Sequence, residues 1–61
     1  MNMILVTLLR LSREFEYIYL RAELELLTIE LKHNEREYSI AIDETCTHDD
    51  IERLVRETIA L

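Results

Sequence analysis

The sequence contains no glycine and no proline, the two residues that most often mark sharp chain reversals. We therefore expect few elements joined by short loops. Cysteine occurs once, as Cys46, so the chain cannot form an internal disulfide. A single domain of 61 residues hides only about 60% of its unfolded surface and is marginally stable alone. Small domains usually add disulfides, a metal or a partner chain, and here the sequence predicts oligomerisation.

Long apolar runs are also missing. The longest, MILVTLL at residues 3–9, is far shorter than the roughly 20 residues that span a bilayer. No basic region precedes it and no small-residue cleavage site follows it, so we expect neither a signal peptide nor membrane contact. A single free cysteine is typical of a reducing compartment, which predicts a cytoplasmic location.

Basic charge is scarce: seven lysines and arginines stand against thirteen acids, giving a net charge of -6. Residues 1–22 carry +1, residues 23–44 carry -5 and residues 45–61 carry -2. Because neutralising phosphates is the main source of nucleic-acid affinity, this balance predicts no direct binding to DNA or RNA. It favours a partner protein with a basic surface.

Residues at about 3–24 are predicted to form a helix, because apolar residues recur there in steps of four and three. The stripe consists of Ile4, Leu8, Leu11, Phe15, Ile18 and Ala22, and Asn2 is a plausible N-cap. Leu5 and Leu9 lie off the stripe, so the helix needs more cover than a short hairpin gives. The alternative interpretation makes MILVTLL a strand.

A β-hairpin is predicted at residues 27–43, with strands at about 27–32 and 37–43. Folding the segment at Asn34-Glu35 brings Leu31 opposite Tyr38, and the same register pairs Ile29 with Ile40. Lys32 and Glu37 become a cross-strand pair of opposite charge. A two-residue turn and a four-residue HNER loop give the same register, and a continuous helix through residue 32 is the alternative.

A second helix is predicted at about 48–60. Thr47 is a natural N-cap, and Asp50, three residues later, completes a near capping box. Cys46 before the cap and Ile51 at the fourth helical position have the spacing of a hydrophobic staple. The whole chain, 1–61, is thus predicted to be one α+β domain, helix–β-hairpin–helix (αββα), completed by homodimerisation.

Residues that carry chemistry are few. Cys46 and His48 are close enough in sequence to share a metal, but zinc sites need three or four ligands, and His33 lies at the hairpin turn. Cys46 already has a structural role as the staple. The chain has no glycine-rich phosphate loop, no Ser/His/Asp set and no CxxC pair. We therefore predict no catalytic residue, no metal site and no cofactor.

The segment SIAIDETCTHDDIERLV, residues 39–55, resembles the strand–turn–helix near the end of glycine decarboxylase and similar pyridoxal-phosphate enzymes. The resemblance covers 17 of the 61 residues and implies a strand that enters a capped helix. It implies no cofactor, because Lys32, the only lysine, has nothing of the family's cofactor site around it.

The main functional hypothesis is a small, acidic, non-enzymatic regulator or inhibitor that binds another protein and acts as a homodimer. Virus-encoded inhibitors of host enzymes, including defence enzymes, are the class that fits. The predicted dimer interface is Leu5, Leu8, Leu9, Leu11, Phe15 and Tyr19. The predicted partner-binding residues are Glu30, Glu35, Glu37, Asp43 and Glu44.

Two other hypotheses come from different classes. In the first, the acids mimic nucleic acid and block the groove of a DNA- or RNA-binding enzyme. In the second, the chain is a structural subunit whose edge strand extends the sheet of a larger protein. An enzyme is the least favoured interpretation, because nothing pairs the acids with a pocket.

Overall fold

The computed structural model describes residues 3–60, so the predicted N-cap Asn2 lies outside the described residues. The elements in chain order are helix α1 (Met3–Leu11), a 3-10 turn (Ser12–Glu14), strands β1 (Tyr17–Glu23), β2 (Leu26–His33) and β3 (Arg36–Ile42), and helix α2 (His48–Ile59). The strands form an antiparallel sheet in the order β1-β2-β3. The α+β arrangement, with two helices flanking a hairpin, is the predicted one.

The predicted helix over residues 3–24 is right for Met3–Leu11 and wrong beyond it. The Ser12 hydroxyl donates to the Leu9 carbonyl at 2.6 Å and satisfies one of the acceptors that a helix end leaves unpaired. Phe15 is already extended, with φ -123° and ψ 156°. The chain then returns as β1, so the sheet has three strands rather than two.

The predicted hairpin register is confirmed. Ile29 pairs with Ile40 and Leu31 with Tyr38, and β1 continues the pattern by pairing Leu20 with Ile29. One sheet face therefore gathers the apolar side chains of all three strands. Both helices lie on that face, where α1 packs against β1 and α2 against β3. The core consists of Ile4, Leu8, Leu11, Phe15, Ile29, Leu31, Ile40, Ile42, Ile51 and Val55.

The two helices run in the same direction. Thr7, in the middle of α1, contacts His48 at the start of α2. Further along both segments, the carboxylate of Glu14, in the 3-10 turn after α1, lies 2.7 Å from the guanidinium of Arg56 in α2. Because both helices lie on one face of the sheet, the opposite face is uncovered among residues 3–60.

Both hairpin turns have two residues and contain no glycine. Asn34 and Glu35 have φ values of 51° and 67°, the left-handed pair that a type I′ turn requires. Leu24, in the β1–β2 turn, has φ 56°. The left-handed region costs an L-residue roughly 1–2 kcal/mol, except where an Asn or Asp side chain helps.

Replacing Glu35 with glycine is expected to raise the free energy of unfolding by about 0.5–1 kcal/mol, because glycine adopts φ 67° without a steric cost. The same substitution at Glu37, inside β3, should lower it by roughly the same amount, since glycine weakens a strand interior. Urea unfolding followed by circular dichroism measures both. A destabilised Glu35→Gly variant would contradict the turn geometry.

The capping box predicted for α2 is present. The Thr47 side chain accepts from the Asp50 backbone N–H, and the Asp50 carboxylate accepts from the Thr47 backbone N–H at 3.0 Å. The bonds from the Thr47 backbone and then its side chain hold the pKa of Asp50 below its ordinary value of 3.8. Cys46 packs against the core cluster that contains Ile51, as the staple prediction requires.

Because the pKa of Asp50 is lowered in the folded state, its ionised carboxylate stabilises the fold in a pH-dependent way. The contribution is present above pH 3.8 and is lost as the pH falls through the lowered pKa of the folded state. We expect Asp50→Asn to be less stable than the parent at neutral pH and to lose less stability below pH 3.8. Asp49→Asn removes the same charge from the same helical turn but leaves the box intact. Acid unfolding measures how the stability of each variant changes with pH. The same pH dependence in Asp50→Asn and Asp49→Asn would contradict this role of Asp50.

Candidate functional site

The uncovered face of the sheet is called here the open face, because among residues 3–60 both helices pack on the other side. Alternate residues point to the open face because successive side chains in a strand point to opposite sides. Its members are Tyr17, Tyr19, Arg21 and Glu23 from β1, Leu26, Thr28, Glu30 and Lys32 from β2, and Glu37, Ser39 and Ala41 from β3.

Two tyrosines lie side by side on this face. The ring centroids of Tyr17 and Tyr19 are 5.8 Å apart with the ring planes inclined by 33°. Both side chains are exposed, and Tyr19 is 52% accessible. They are neighbours because residues two apart in a strand share a face.

Glu30 lies beside them at the centre of the face, opposite Tyr19 on one side and Ser39 on the other. Its carboxylate accepts from the Ser39 hydroxyl at 2.5 Å and lies 4.0 Å from the Arg21 guanidinium. Arg21 is also 3.1 Å from Glu23. These contacts fix the orientation of Glu30, and the pairing with Arg21 offsets part of its charge.

Lys32 and Glu37 face each other across β2 and β3, as the register predicts, but the ion pair differs from the prediction. The Lys32 ammonium lies 3.7 Å from the carboxylate of Glu16. Glu37 instead bonds to the Tyr17 phenol. Partial desolvation raises the pKa of Tyr17 above 10.0, and the charge of Glu37 and the hydrogen bond to it raise it further. Tyr17 is therefore a neutral hydrogen-bond donor at neutral pH.

The predicted partner-binding residues do not form one surface. Glu30 and Glu37 share the open face, whereas Glu35 lies in the β2–β3 turn, where its backbone N–H donates to Glu16. Asp43 and Glu44 follow β3 at its other end, about 27 Å from Glu35 at roughly 3.4 Å per residue.

Asp43 has a structural task at that end. Its carboxylate accepts from the Thr45 backbone N–H at 2.8 Å and from the Thr45 hydroxyl. The bond from the Thr45 side chain, followed by the backbone bond, lowers the pKa of Asp43 below 3.8. Asp43 therefore shapes the loop that leads into α2.

The predicted dimer interface is also divided. Leu8, Leu11 and Phe15 are buried in the core of the single chain and cannot contact a partner while it is folded. Leu5 and Leu9 remain exposed on α1, while Tyr19 lies on the opposite side of the sheet. The helix prediction behind this set is wrong beyond Leu11, because Phe15 and Tyr19 do not share a helix. Whether the chain dimerises stays a prediction.

Thr7, His48 and Glu52 form a chain of contacts between the helices. The Thr7 hydroxyl lies 3.1 Å from His48 Nδ1, and His48 Nε2 lies 3.2 Å from the Glu52 carboxylate. A hydroxyl, an imidazole and a carboxylate in this order are the parts of a nucleophilic triad. The hydroxyl, however, donates to the Met3 carbonyl at 2.9 Å, and Thr7 is only 1% exposed. No substrate reaches it, so the set joins α1 to α2.

The fold keeps His33 away from Cys46 and His48, which lie together at the start of α2. His33 ends β2 and packs edge-on against Phe15, with ring centroids 5.3 Å apart, whereas Cys46 follows the far end of β3. Among residues 3–60, no three His, Cys, Asp or Glu side chains come together in a way that could hold a metal ion.

Sequence reasoning missed the tyrosine pair, because it placed Tyr17 and Tyr19 on a helix. The signal was present in YIYLRAE, where polar and aromatic residues alternate with Ile18, Leu20 and Ala22. That period of two, with the β-branched and aromatic content, is typical of a half-buried strand.

Within the described residues, neither helix has the length and apolar run needed to cross a membrane. Comparison with family models, with curated proteins and with solved structures finds no match to this chain.

Proposed function

We propose that this chain is a cytoplasmic, non-enzymatic regulator or inhibitor that binds a basic protein surface with its open face. The observation that carries the proposal is the pair of exposed tyrosines, Tyr17 and Tyr19, beside the carboxylates of Glu30 and Glu37. Tyrosine is enriched among the residues that dominate binding energy at interfaces.

The chemistry of the face selects arginine-rich partners. A guanidinium gains by lying over an aromatic ring and by pairing with a carboxylate, and the open face offers both side by side. Four acids on or beside the face, Glu16, Glu23, Glu30 and Glu37, stand against Arg21 and Lys32. The local charge is therefore negative even after the internal ion pairs are counted.

The open face is also rigid, which favours binding. Its residues lie on three hydrogen-bonded strands rather than on loops, and Glu30 is held by Ser39 and Arg21. Side chains that are already fixed lose less conformational entropy on binding. Inhibition by covering a basic surface needs no chemistry on this chain, which suits a virus-encoded inhibitor of a host enzyme.

The experiment compares a charge reversal on the open face, at Glu37 in β3, with one at Glu44, which follows β3. The tagged protein captures partners from a lysate of the source cells at low and high salt, and affinities are then measured with the purified partner. Glu37→Lys combined with Tyr19→Ala should weaken binding at least about tenfold, the effect of losing about 1.4 kcal/mol. Glu44→Lys makes the same charge change at an exposed position away from the open face, and should have little effect.

A partner released by high salt and by the open-face variant supports the proposal. Equal losses in both variants would indicate attraction by net charge alone, and unchanged binding in the open-face variant would rule this face out. Release by oligonucleotides would instead favour the nucleic-acid mimic.

A further inference from the structure

The outer edge of β1 lacks a neighbouring strand among residues 3–60, because β1 pairs only with β2. Its seven residues, YIYLRAE, contain neither proline nor lysine. Natural sheets commonly use these two residues to keep an exposed edge from pairing with another chain. The β1 edge is therefore open to a further antiparallel strand.

The same side of the molecule exposes apolar side chains. Leu5 and Leu9 are one helical turn apart, and each lies about 160° around α1 from Thr7, at 100° per residue. Thr7 faces α2, so both leucines lie on the flank of α1 away from α2. Because α1 packs on β1 and α2 on β3, that flank overlies the β1 edge. Leu5 is 53% exposed and Leu9 72%.

The core beneath this flank is incompletely covered. Ile18 and Leu20 point to the covered face of the sheet from β1 but are only half-buried. Their neighbours across the ladder, Leu31 and Ile29, are fully buried. The exposed leucines of α1 and the half-buried residues of β1 thus form one apolar strip, called here the β1 strip.

The other edge of the sheet offers no such strip. The exposed residues of α2, which covers β3, are all charged: Asp49, Arg53, Arg56 and Glu57. Those of α1 are Met3, Leu5, Leu9 and Arg10. A partner with an apolar surface would therefore bind at the β1 edge and not at the β3 edge.

Charge decides what kind of partner fits. Residues 3–23 carry three arginines against three glutamates and are neutral, whereas residues 24–60 carry four basic against ten acidic residues and hold the whole net charge of -6. Two copies of an acidic chain repel each other unless they meet through a neutral part. The β1 strip belongs to the neutral part.

We infer that a second copy of this chain occupies the β1 strip, with β1 pairing antiparallel to β1 of the other copy about a two-fold axis. The two sheets become one sheet of six strands, and the two α1 helices pack side by side over its centre. Leu5 and Leu9 of both copies are then covered together with Ile18 and Leu20. The open faces stay accessible and form one continuous face.

The register with the longest overlap is self-complementary. Pairing all seven residues places Leu20 opposite Leu20 of the second copy. On the open face it puts Arg21 opposite the ring of Tyr19, an arrangement that favours a cation–π contact, and Glu23 opposite the phenol of Tyr17. No like charges meet. The inference does not depend on the proposed function, because it uses the edge and not the face of the sheet.

Sedimentation equilibrium and amide hydrogen exchange over a range of protein concentrations test the inference. The parent should be a dimer, and the amides of residues 17–23 should gain protection as concentration rises while those of residues 36–42 do not. Leu5→Lys with Leu9→Lys should raise the dimer dissociation constant at least about 100-fold, because both copies lose their apolar contact and gain like charges.

The matched control is Leu24→Lys with Leu26→Lys, which makes the same change at two exposed leucines of the β1–β2 turn region. It should leave the dimer intact. A parent that stays monomeric up to about 1 mM would overturn the inference. So would protection confined to residues 36–42, or a dimer that the control dissociates and the α1 variant does not. The exchange experiment needs no variant and stands even if the α1 variant fails to fold.

Discussion

Ile29→Ala is expected to lower the free energy of unfolding by about 2–5 kcal/mol, the usual cost of removing a buried isoleucine side chain. Ile29 is fully buried on the middle strand, opposite Leu20 of β1 and Ile40 of β3. Domains are stabilised by only about 0.05–0.15 kcal/mol per residue, so for 61 residues this loss is comparable with the whole stability. We expect a substantial unfolded population at room temperature.

The control for this prediction lies on the same strand. Leu26 is exposed and points to the open face, so Leu26→Ala should change the free energy of unfolding by no more than about 0.5 kcal/mol. Urea unfolding monitored by circular dichroism compares the two. Similar losses would show that β2 is not buried on one face only, which would contradict the two-layer arrangement.

The second large effect is expected from two adjacent leucines of α1. Leu8 is 4% exposed and packs in the core, whereas Leu9 is 72% exposed. Leu8→Ala should cost about 2–5 kcal/mol at every protein concentration, because the contacts that it loses lie within one chain. Leu9→Ala should leave the stability of the isolated chain nearly unchanged.

These two substitutions distinguish the observed fold from the dimer interface predicted by the sequence. That predicted interface places Leu8 and Leu9 together at the contact between two copies. With that interface, both substitutions would weaken association and neither would destabilise a single chain. Thermal unfolding at several concentrations distinguishes the two cases. We expect Leu8→Ala to lose the same stability at every protein concentration. Any loss of stability in Leu9→Ala should depend on protein concentration.

The parts of the fold that sequence predicted well are those with a redundant local signal. The hairpin register follows from apolar residues that oppose each other about Asn34-Glu35, since a one-residue slip would turn every side chain to the other face. The start of α2 follows from Thr47 and Asp50, whose two reciprocal bonds form within one helical turn.

The error at β1 has a physical origin in spacing. Ile18 and Ala22 are four residues apart, and residues four apart share a face in a helix and also in a strand. In the sequence, the apolar stripe of α1 therefore continues without a break into residues 17–23. Without glycine or proline after Leu11, the end of the helix depended on the Ser12 hydroxyl, a weak signal in sequence alone.

The assignment of residues 17–23 to a helix also made the predicted binding site incomplete. Glu30 and Glu37 were found from the hairpin alone, but the tyrosines beside them required β1 to be a strand. Tertiary packing also decided which leucines of α1 stay exposed, because the buried side of the helix is set by where β1 and α2 lie. Periodicity locates a stripe on a helix but does not state which other apolar residues the rest of the chain will cover.

The three tyrosines of the chain allow the most direct test of the claim that the open face is the binding surface. Tyr17 and Tyr19 point to the open face, while Tyr38 points to the covered face and packs against the core. Chemical modification of tyrosine, read by mass spectrometry at a fixed concentration of this protein, should be slowed at Tyr17 and Tyr19 by the captured partner and unchanged at Tyr38. Unchanged modification of Tyr17 and Tyr19 in the complex would contradict the account.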